Sequence, residues 1–241
     1  MWYYQSKRDD SQLIIELNKL ADKLPTRGLD EYVGRLKQMG FPWGRTRIRR
    51  VYLEMGLKLR RKRKRRVPSR LKVPLKVPVG MNTTWSMDFM HDVLDNSRKF
   101  RVLNVIDDYN REAIAVEASH SFPAQRVVDL LDRLTLFKGK PKTIRIDNGT
   151  EFTSRIFVQW CQTKNVTIQY IQPGKPTQNA FIERFNRTYR EDILDAYIFD
   201  HINEVKQLSE EWRIDYNQNH PHKALMGMSP MQYKQLELDT T

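Results

Sequence analysis

Three carboxylates, Asp88, Asp147 and Glu183, have the types and surroundings of ligands for a hard cation. Asp88 stands in Trp85-Ser86-Met87-Asp88-Phe89-Met90, among apolar neighbours. An ionised acid there is costly unless it is paired or bound to a metal. Taken alone, it could equally be satisfied by an arginine. Asp147 closes the run Ile144-Arg145-Ile146 and precedes Asn148-Gly149. A carboxylate at the C-terminal end of a strand points into the crevice where α/β sheets bind ligands, although Asp-Asn-Gly is also ordinary turn chemistry. Glu183 follows Asp147 with 35 residues between them. Asn179, Glu183, Arg187 and Arg190 share one polar helical face, with Phe181 and Phe185 opposite. Alone, Glu183 could be a surface acid paired with Arg187.

Together the three acids make one chemical unit. Converging carboxylates repel and raise each other's pKa values. Mg²⁺ or Mn²⁺, which ligand type alone does not separate, takes such oxygen ligands and keeps positions for water and phosphate. Two ions about 4 Å apart would clamp the attacking and leaving oxygens of an in-line phosphoryl displacement, with no protein nucleophile. Asp88, Asp147 and Glu183 are therefore the predicted catalytic residues and metal ligands. The rival sets are weaker. His91, His120, His201, His220 and His222 have no zinc spacing with the single Cys161, and that cysteine has no activating neighbour. No glycine-rich phosphate loop is present. Asp107-Asp108 reads as turn and scaffold, with Arg111 as partner.

The elements that must position these acids follow from periodicity. Residues 85–118 carry three strands in a meander: Trp85–His91, Phe100–Asp107 and Ala113–Ala118. A helix over Pro123–Phe137, a strand at Thr143–Ile146, a helix over Phe152–Thr163 and a strand at Val166–Ile171 come next. A long helix, Thr177–Tyr197, and another at Asn203–Tyr216 complete a mixed five-stranded α/β sheet flanked by helices. Ahead of it, residues 1–57 form a small all-α, helix-turn-helix-like region of three helices. They begin at Asp10 as N-cap, at Leu29 and at Arg45. Residues 58–80 are a basic linker punctuated by Pro68, Pro74 and Pro78. Residues 81–241 are the catalytic domain with its C-terminal helices.

Charge follows the same division. The chain of 241 residues carries a formal +13. Residues 1–80 hold 22 Lys/Arg against 7 Asp/Glu, whereas residues 81–241 hold 20 against 22. That asymmetry points to a polyanionic partner for the N-terminal part. Predicted DNA contacts are Arg45, Arg47, Arg49 and Arg50 on the third helix, and Arg60, Arg61, Lys62, Arg63, Lys64, Arg65 and Arg66 in the linker. Lys175, Asn179, Arg187 and Arg190 extend the set to the acid-bearing helix. One cysteine excludes an intrachain disulfide, and no apolar run nears the roughly 20 residues that span a bilayer. A cytoplasmic protein with no membrane contact is expected.

Four runs carry a resemblance: Trp85-Ser86-Met87-Asp88-Phe89, Asn104-Val105-Ile106-Asp107-Asp108-Tyr109-Asn110-Arg111-Glu112, Ile144–Phe152 and Gln172–Asn186. With Tyr216-Asn217, Pro221-His222 and Ser229-Pro230, they make the chain similar to the second-frame (OrfB-type) catalytic subunit of insertion-sequence transposases, in the retroviral-integrase superfamily. The resemblance implies an RNase H-like fold and a triad of Asp, Asp and Glu at Asp88, Asp147 and Glu183. It implies a cation-dependent reaction in which water frees a 3′-OH at the element end and that hydroxyl attacks another phosphodiester. It also implies double-stranded DNA (element ends and target) as partner, a homo-oligomer on DNA, a site near the nucleoid, and Arg190 as a contact to element-end DNA. End recognition and dimerisation would need a first-frame subunit or fusion. One departure is Asn219 before His220-Pro221-His222, where the family more often carries Arg. The alternatives are a non-catalytic DNA-binding regulator, an incomplete transposase subunit, or a general RNase H-type nuclease.

Overall fold

The computed structural model describes residues 9–59, 75, 77–172 and 176–239. Helices α1 (Ser11–Lys23), α2 (Leu29–Gln38) and α3 (Arg45–Glu54) form the N-terminal unit. Leu13, Leu17, Leu36, Ile48 and Val51 are all but inaccessible at its centre. Asp10 occupies the N-cap position of α1 but makes no capping bond. Its carboxylate instead accepts from Arg47 Nε at 2.7 Å and from Arg50 of α3. Asp9 accepts the Ser11 N–H.

The second unit is a five-stranded sheet in the order β3-β2-β1-β4-β5. Its strands are β1 (Thr84–Val93), β2 (Lys99–Asp107), β3 (Ala113–Ser119), β4 (Thr143–Ile146) and β5 (Thr167–Tyr170). β1 pairs antiparallel with β2 and parallel with β4, so it lies at the centre. Period-two alternation splits its side chains. Trp85 and Met87 enter the core under α4 (Ala124–Lys138) and α5 (Arg155–Thr163). Met90 enters the core under α6 (Ala180–Tyr189) and α7 (Ile202–Asn219). Asp88 shares the face of Met90.

Three helices differ by three residues or more from the expected spans; of these, α7 runs to Asn219 instead of ending at Tyr216. α5 starts three residues late, because Ser154 Oγ accepts the Phe157 N–H and caps it there. The long helix is broken. A 3₁₀ turn (Pro176–Asn179) precedes α6, and a wide π-type turn (Arg190–Leu194) follows it. A short C-terminal helix, α8 (Pro230–Asp239), was not anticipated. Asp108 pairs with Arg145 of β4, both buried, rather than with Arg111. Asp107 accepts N–H groups from Asn82 and Tyr109, the turn role expected of it.

The N-terminal unit does not stand apart. Arg35 of α2 reaches Asp215 of α7 through two bonds, at 3.2 and 2.7 Å. Glu31 accepts from Arg35 at 2.9 Å and lies 3.1 Å from His220 Nδ1. Arg27 donates to Asp192 at 2.6 Å and to the Thr188 carbonyl. Pro221 packs so closely on α2 that a Cβ at Gly34 would meet it at 2.5 Å. The Asn219–His222 segment forms part of this seam.

Burial pushes the Asp215 carboxyl up, but the hydrogen bond and charge of Arg35, then of Lys23, bring it down to about 2. A carboxylate depressed on folding stabilises above its unfolded value near 4 and loses that contribution as pH falls towards 2. Urea unfolding is expected to lose about 2 kcal/mol over that window. Asp215→Asn should flatten that limb of the curve, and an unchanged limb would show the seam to be energetically idle.

Candidate active site

Three elements deliver the three acids. In the parallel pairing Ser86 faces Arg145, so continuing the register by two residues sets Asp88 beside Asp147. The alternation that buries Ile144 and Ile146 under α4 and α5 turns Asp147 to the opposite side, just past the end of β4. α6 then crosses that side. Ile182, Phe185 and Tyr189 pack into the core, leaving Glu183 exposed in the first turn.

Each carboxylate has local support. Asp88 Oδ1 accepts the Phe89 N–H at 2.8 Å, and Oδ2 accepts from Asn186 Nδ2 at 2.8 Å. Asn186 Oδ1 accepts in turn from Asn104 Nδ2 at 2.7 Å, and Asn104 is the residue opposite Asp88 across the β1–β2 ladder. Asp147 Oδ1 accepts the Gly149 N–H at 2.9 Å. A Cβ on Gly149 would meet that oxygen at 3.0 Å, which favours glycine there. The loop beyond is anchored by an ion pair between Glu151 and Arg101 of β2. Arg101 also stacks 3.9 Å over Phe89, next to Asp88. Arg101 thus braces both the strand of one acid and the loop of the other.

The electrostatics register the convergence. Burial, then the charge of Asp147, then that of Glu183 push the Asp88 carboxyl up to about 6, against the lowering by the Phe89 N–H and Asn186. The acids thus sense each other across three elements. Among the described residues, no three His, Cys, Asp or Glu side chains stand close enough to enclose an ion as they are arranged. The donor chemistry, three carboxylates with one held above its usual pKa by burial and then by the others, fits a hard divalent cation once the exposed Asp147 and Glu183 side chains turn inward.

The predicted DNA contacts fare unevenly. Arg47 and Arg50 are tied to Asp10, and Arg45 to Asp30 at 2.6 Å. Arg49 is exposed on α3 with no ion pair among the described residues. Asn179 is buried, its Oδ1 without a partner among the described residues. Arg187 is exposed on α6. Arg190 donates to Asp92 and to the His91 carbonyl, both at 3.0 Å. Arg60–Arg66 and Lys175 lie outside the described residues. Cys161 is buried, its thiol pushed up to about 12 by that burial, which suits a structural role. Sequence reading missed Asn186, although its position one turn after Glu183 on the acid's side of α6 was a usable signal.

Comparison with known proteins gives the family. Residues 78–176 match the family described as integrase core domain, and residues 164–230 match a second integrase core domain family. The chain is 36% identical over 233 residues to a 31.7 kDa protein of insertion element IS407 from Burkholderia multivorans, covering 96% of this chain and 84% of that one. It belongs to the integrase-core family of insertion-element transposases. A 39.2 kDa protein of insertion element IS476 from Xanthomonas euvesicatoria is 39% identical over 187 residues, and the chain spans only 54% of its length. The fold likeness extends to a chain of the simian T-cell lymphotropic virus intasome in complex with the PP2A regulatory subunit B56 gamma. There the TM-score is 0.53 and the identity 16%, over 69% of this chain and 60% of that one. The sheet with its flanking helices is thus the integrase-type, RNase H-like catalytic core of the family. Among the described residues, no helix of this transposase-family chain is long and apolar enough to cross a membrane.

Proposed function

We propose that this transposase-family chain is a divalent-cation-dependent polynucleotidyl transferase acting on double-stranded DNA at insertion-element ends. The β1–β4 register, which sets Asp88 beside Asp147, and the crossing of α6, which carries Glu183 over the same side of the sheet, carry the proposal. A bound Mg²⁺ or Mn²⁺, in one or two copies, would polarise the scissile phosphodiester and lower the pKa of the attacking water or 3′-OH. Asp88, Asp147 and Glu183 would hold it. Asn186 keeps the Asp88 carboxylate turned towards α6, and the Gly149 N–H fixes Asp147. Arg187, exposed on α6, would hold a phosphate of the bound DNA outside the carboxylate site.

Hydrolysis at the element end would free a 3′-OH. That hydroxyl would displace a second 3′-oxygen in the target, conserving the number of phosphodiester bonds. The relative named for an intasome supports an assembly of several copies on DNA. The deciding experiment is strand cleavage and joining on a labelled duplex bearing the element's own terminal repeat, with Mg²⁺, Mn²⁺ or a chelator. Products that require the cation are expected. Binding without products under every condition would favour a regulator, or a subunit needing further chain.

A further inference from the structure

α6 has two working faces. Asn186 meets β1, whereas Arg184 and Arg187 line a cleft between α6 and the α1–α3 unit. The cleft encloses about 1790 Å³, beyond the roughly 300–1,000 Å³ of small-molecule pockets. Lys37 stands on the α2 side, and Tyr216 and His222 also line the space.

Asp30, Glu31 and Glu191 also line the cleft, but they pair with Arg45, Arg35 and Arg27. Among the described residues, no ion pair engages Lys37, Arg111, Arg184 or Arg187. Arg111 is only 8% exposed. Its guanidinium packs 3.6 Å over the Phe181 ring and donates to the Tyr109 carbonyl. Its backbone φ of +63° lies in the left-handed region, which larger side chains seldom adopt. Burial holds the Arg111 pKa down, Asp108 and Tyr216 oppose that, and the Arg184 charge adds to the lowering. His222 is held well below its usual value by burial and by His220, Arg111 and Arg184, and its Nε2 has no partner among the described residues. Crowded cations on a half-buried aromatic floor are costly unless an anion neutralises them. Leu59 lines the same cleft, and the unbroken basic stretch Arg60–Arg66 begins at the next residue.

We propose that this cleft binds the sugar-phosphate backbone of duplex DNA, with Lys37, Arg184 and Arg187 as phosphate ligands and Arg111 as the buried charge behind them. The track lies beside the catalytic carboxylates, on the other flank of α6, and runs between the two units. It explains why the units meet at a neutralised seam, Arg35 with Asp215 and Glu31, while the cations next to that seam stay open. The inference rests on the reading of the chain as a DNA-processing enzyme.

The test uses the full chain and a fluorescent duplex of arbitrary sequence, titrated over a salt series without divalent cation. Lys37→Gln and Arg184→Gln each remove one exposed charge, and the control Arg133→Gln removes one from α4. Each cleft substitution is expected to lower the slope of log K against log salt by about one, and the pair by about two. The control should keep the wild-type slope, no variant should melt below wild type, and Arg184→Gln, which relieves the crowding on Arg111, should melt at or above it. Wild-type slopes in both cleft variants would overturn the proposal, as would an equal fall in the control. Cation-dependent cleavage is scored separately on the terminal-repeat duplex. Unchanged slopes with intact cleavage would remove the cleft and leave the catalytic reading standing. Lowered slopes without cleavage would do the reverse.

Discussion

Glu183→Gln is expected to lower cation-dependent strand cleavage and joining at least about a thousandfold, while duplex binding stays within about twofold. A carboxylate that holds a catalytic cation supports several kcal/mol of transition-state stabilisation, and about 4 kcal/mol corresponds to a thousandfold in rate. The substitution is clean because Glu183 is exposed and α6 is held by Ile182, Phe185 and Tyr189, not by the acid. Glutamine keeps the shape and removes only the charge. Removing one negative charge beside a polyanion should, if anything, tighten binding. Single-turnover cleavage and anisotropy on the same duplex check both halves. Cleavage within tenfold of wild type would remove Glu183 from the catalytic set.

Asp88→Asn should also abolish the chemistry, yet make the cation-free protein more stable. Folding lifts the Asp88 carboxyl to about 6 through burial and the charges of Asp147 and Glu183. A carboxyl raised on folding penalises the folded state above its folded pKa, where it must ionise, and the penalty vanishes below the unfolded value near 4. Two units correspond to about 3 kcal/mol. Asparagine offers one acceptor oxygen to the two donors, Phe89 N–H and Asn186 Nδ2. The lost hydrogen bond returns about 1 kcal/mol. The net expectation is a gain of about 1–2 kcal/mol at pH 7–8, shrinking as pH falls through 6 and gone near 4. Mg²⁺ should raise the melting temperature of wild type and leave the variant unmoved. A variant less stable than wild type at pH 8 without cation would show that the acids do not strain the fold.

Both results test one proposed arrangement: a site that would stay unfavourable until a cation binds. Acids that repel across β1, β4 and α6 cost stability that the α4–α5 and α6–α7 cores offset. The Asn104–Asn186 pair holds Asp88 in place in spite of that repulsion.

Local chemistry made much of this legible in the chain. β4 over Thr143–Ile146 stands where its apolar alternation put it, and the central strands lie within two residues of expectation. Side-chain alternation is a property of the backbone, so it is readable residue by residue. For the same reason Asp88, Asp147 and Glu183 could be picked out as carboxylates in the wrong company: one in an apolar strand, one at a strand end, one on a polar helical stripe. α5 was mislocated because competing caps lie within a few residues of each other. The long helix was misread because nothing in Arg190–Leu194 announces a widened turn.

Tertiary contacts decided the rest. Arg45, Arg47 and Arg50 read as an open basic face, but Asp10, Asp30 and Glu54 close on them. The partner of Asp108 is Arg145, 37 residues away, rather than Arg111, three away. The helix-turn-helix-like region expected at the N-terminus packs on the sheet unit through Arg35 and Asp215, 180 residues apart. Such pairings depend on which surfaces meet, and a charge in sequence carries no record of the charge it will face. The sequence by itself determined most of the elements and the family, and it nominated the three acids. Only the tertiary structure decided that the acids strain one another and which arginines are spent inside the protein. It also decided that Arg111 and Arg184 crowd together beside α6, because burial and long-range Coulomb interactions exist only once the units are packed.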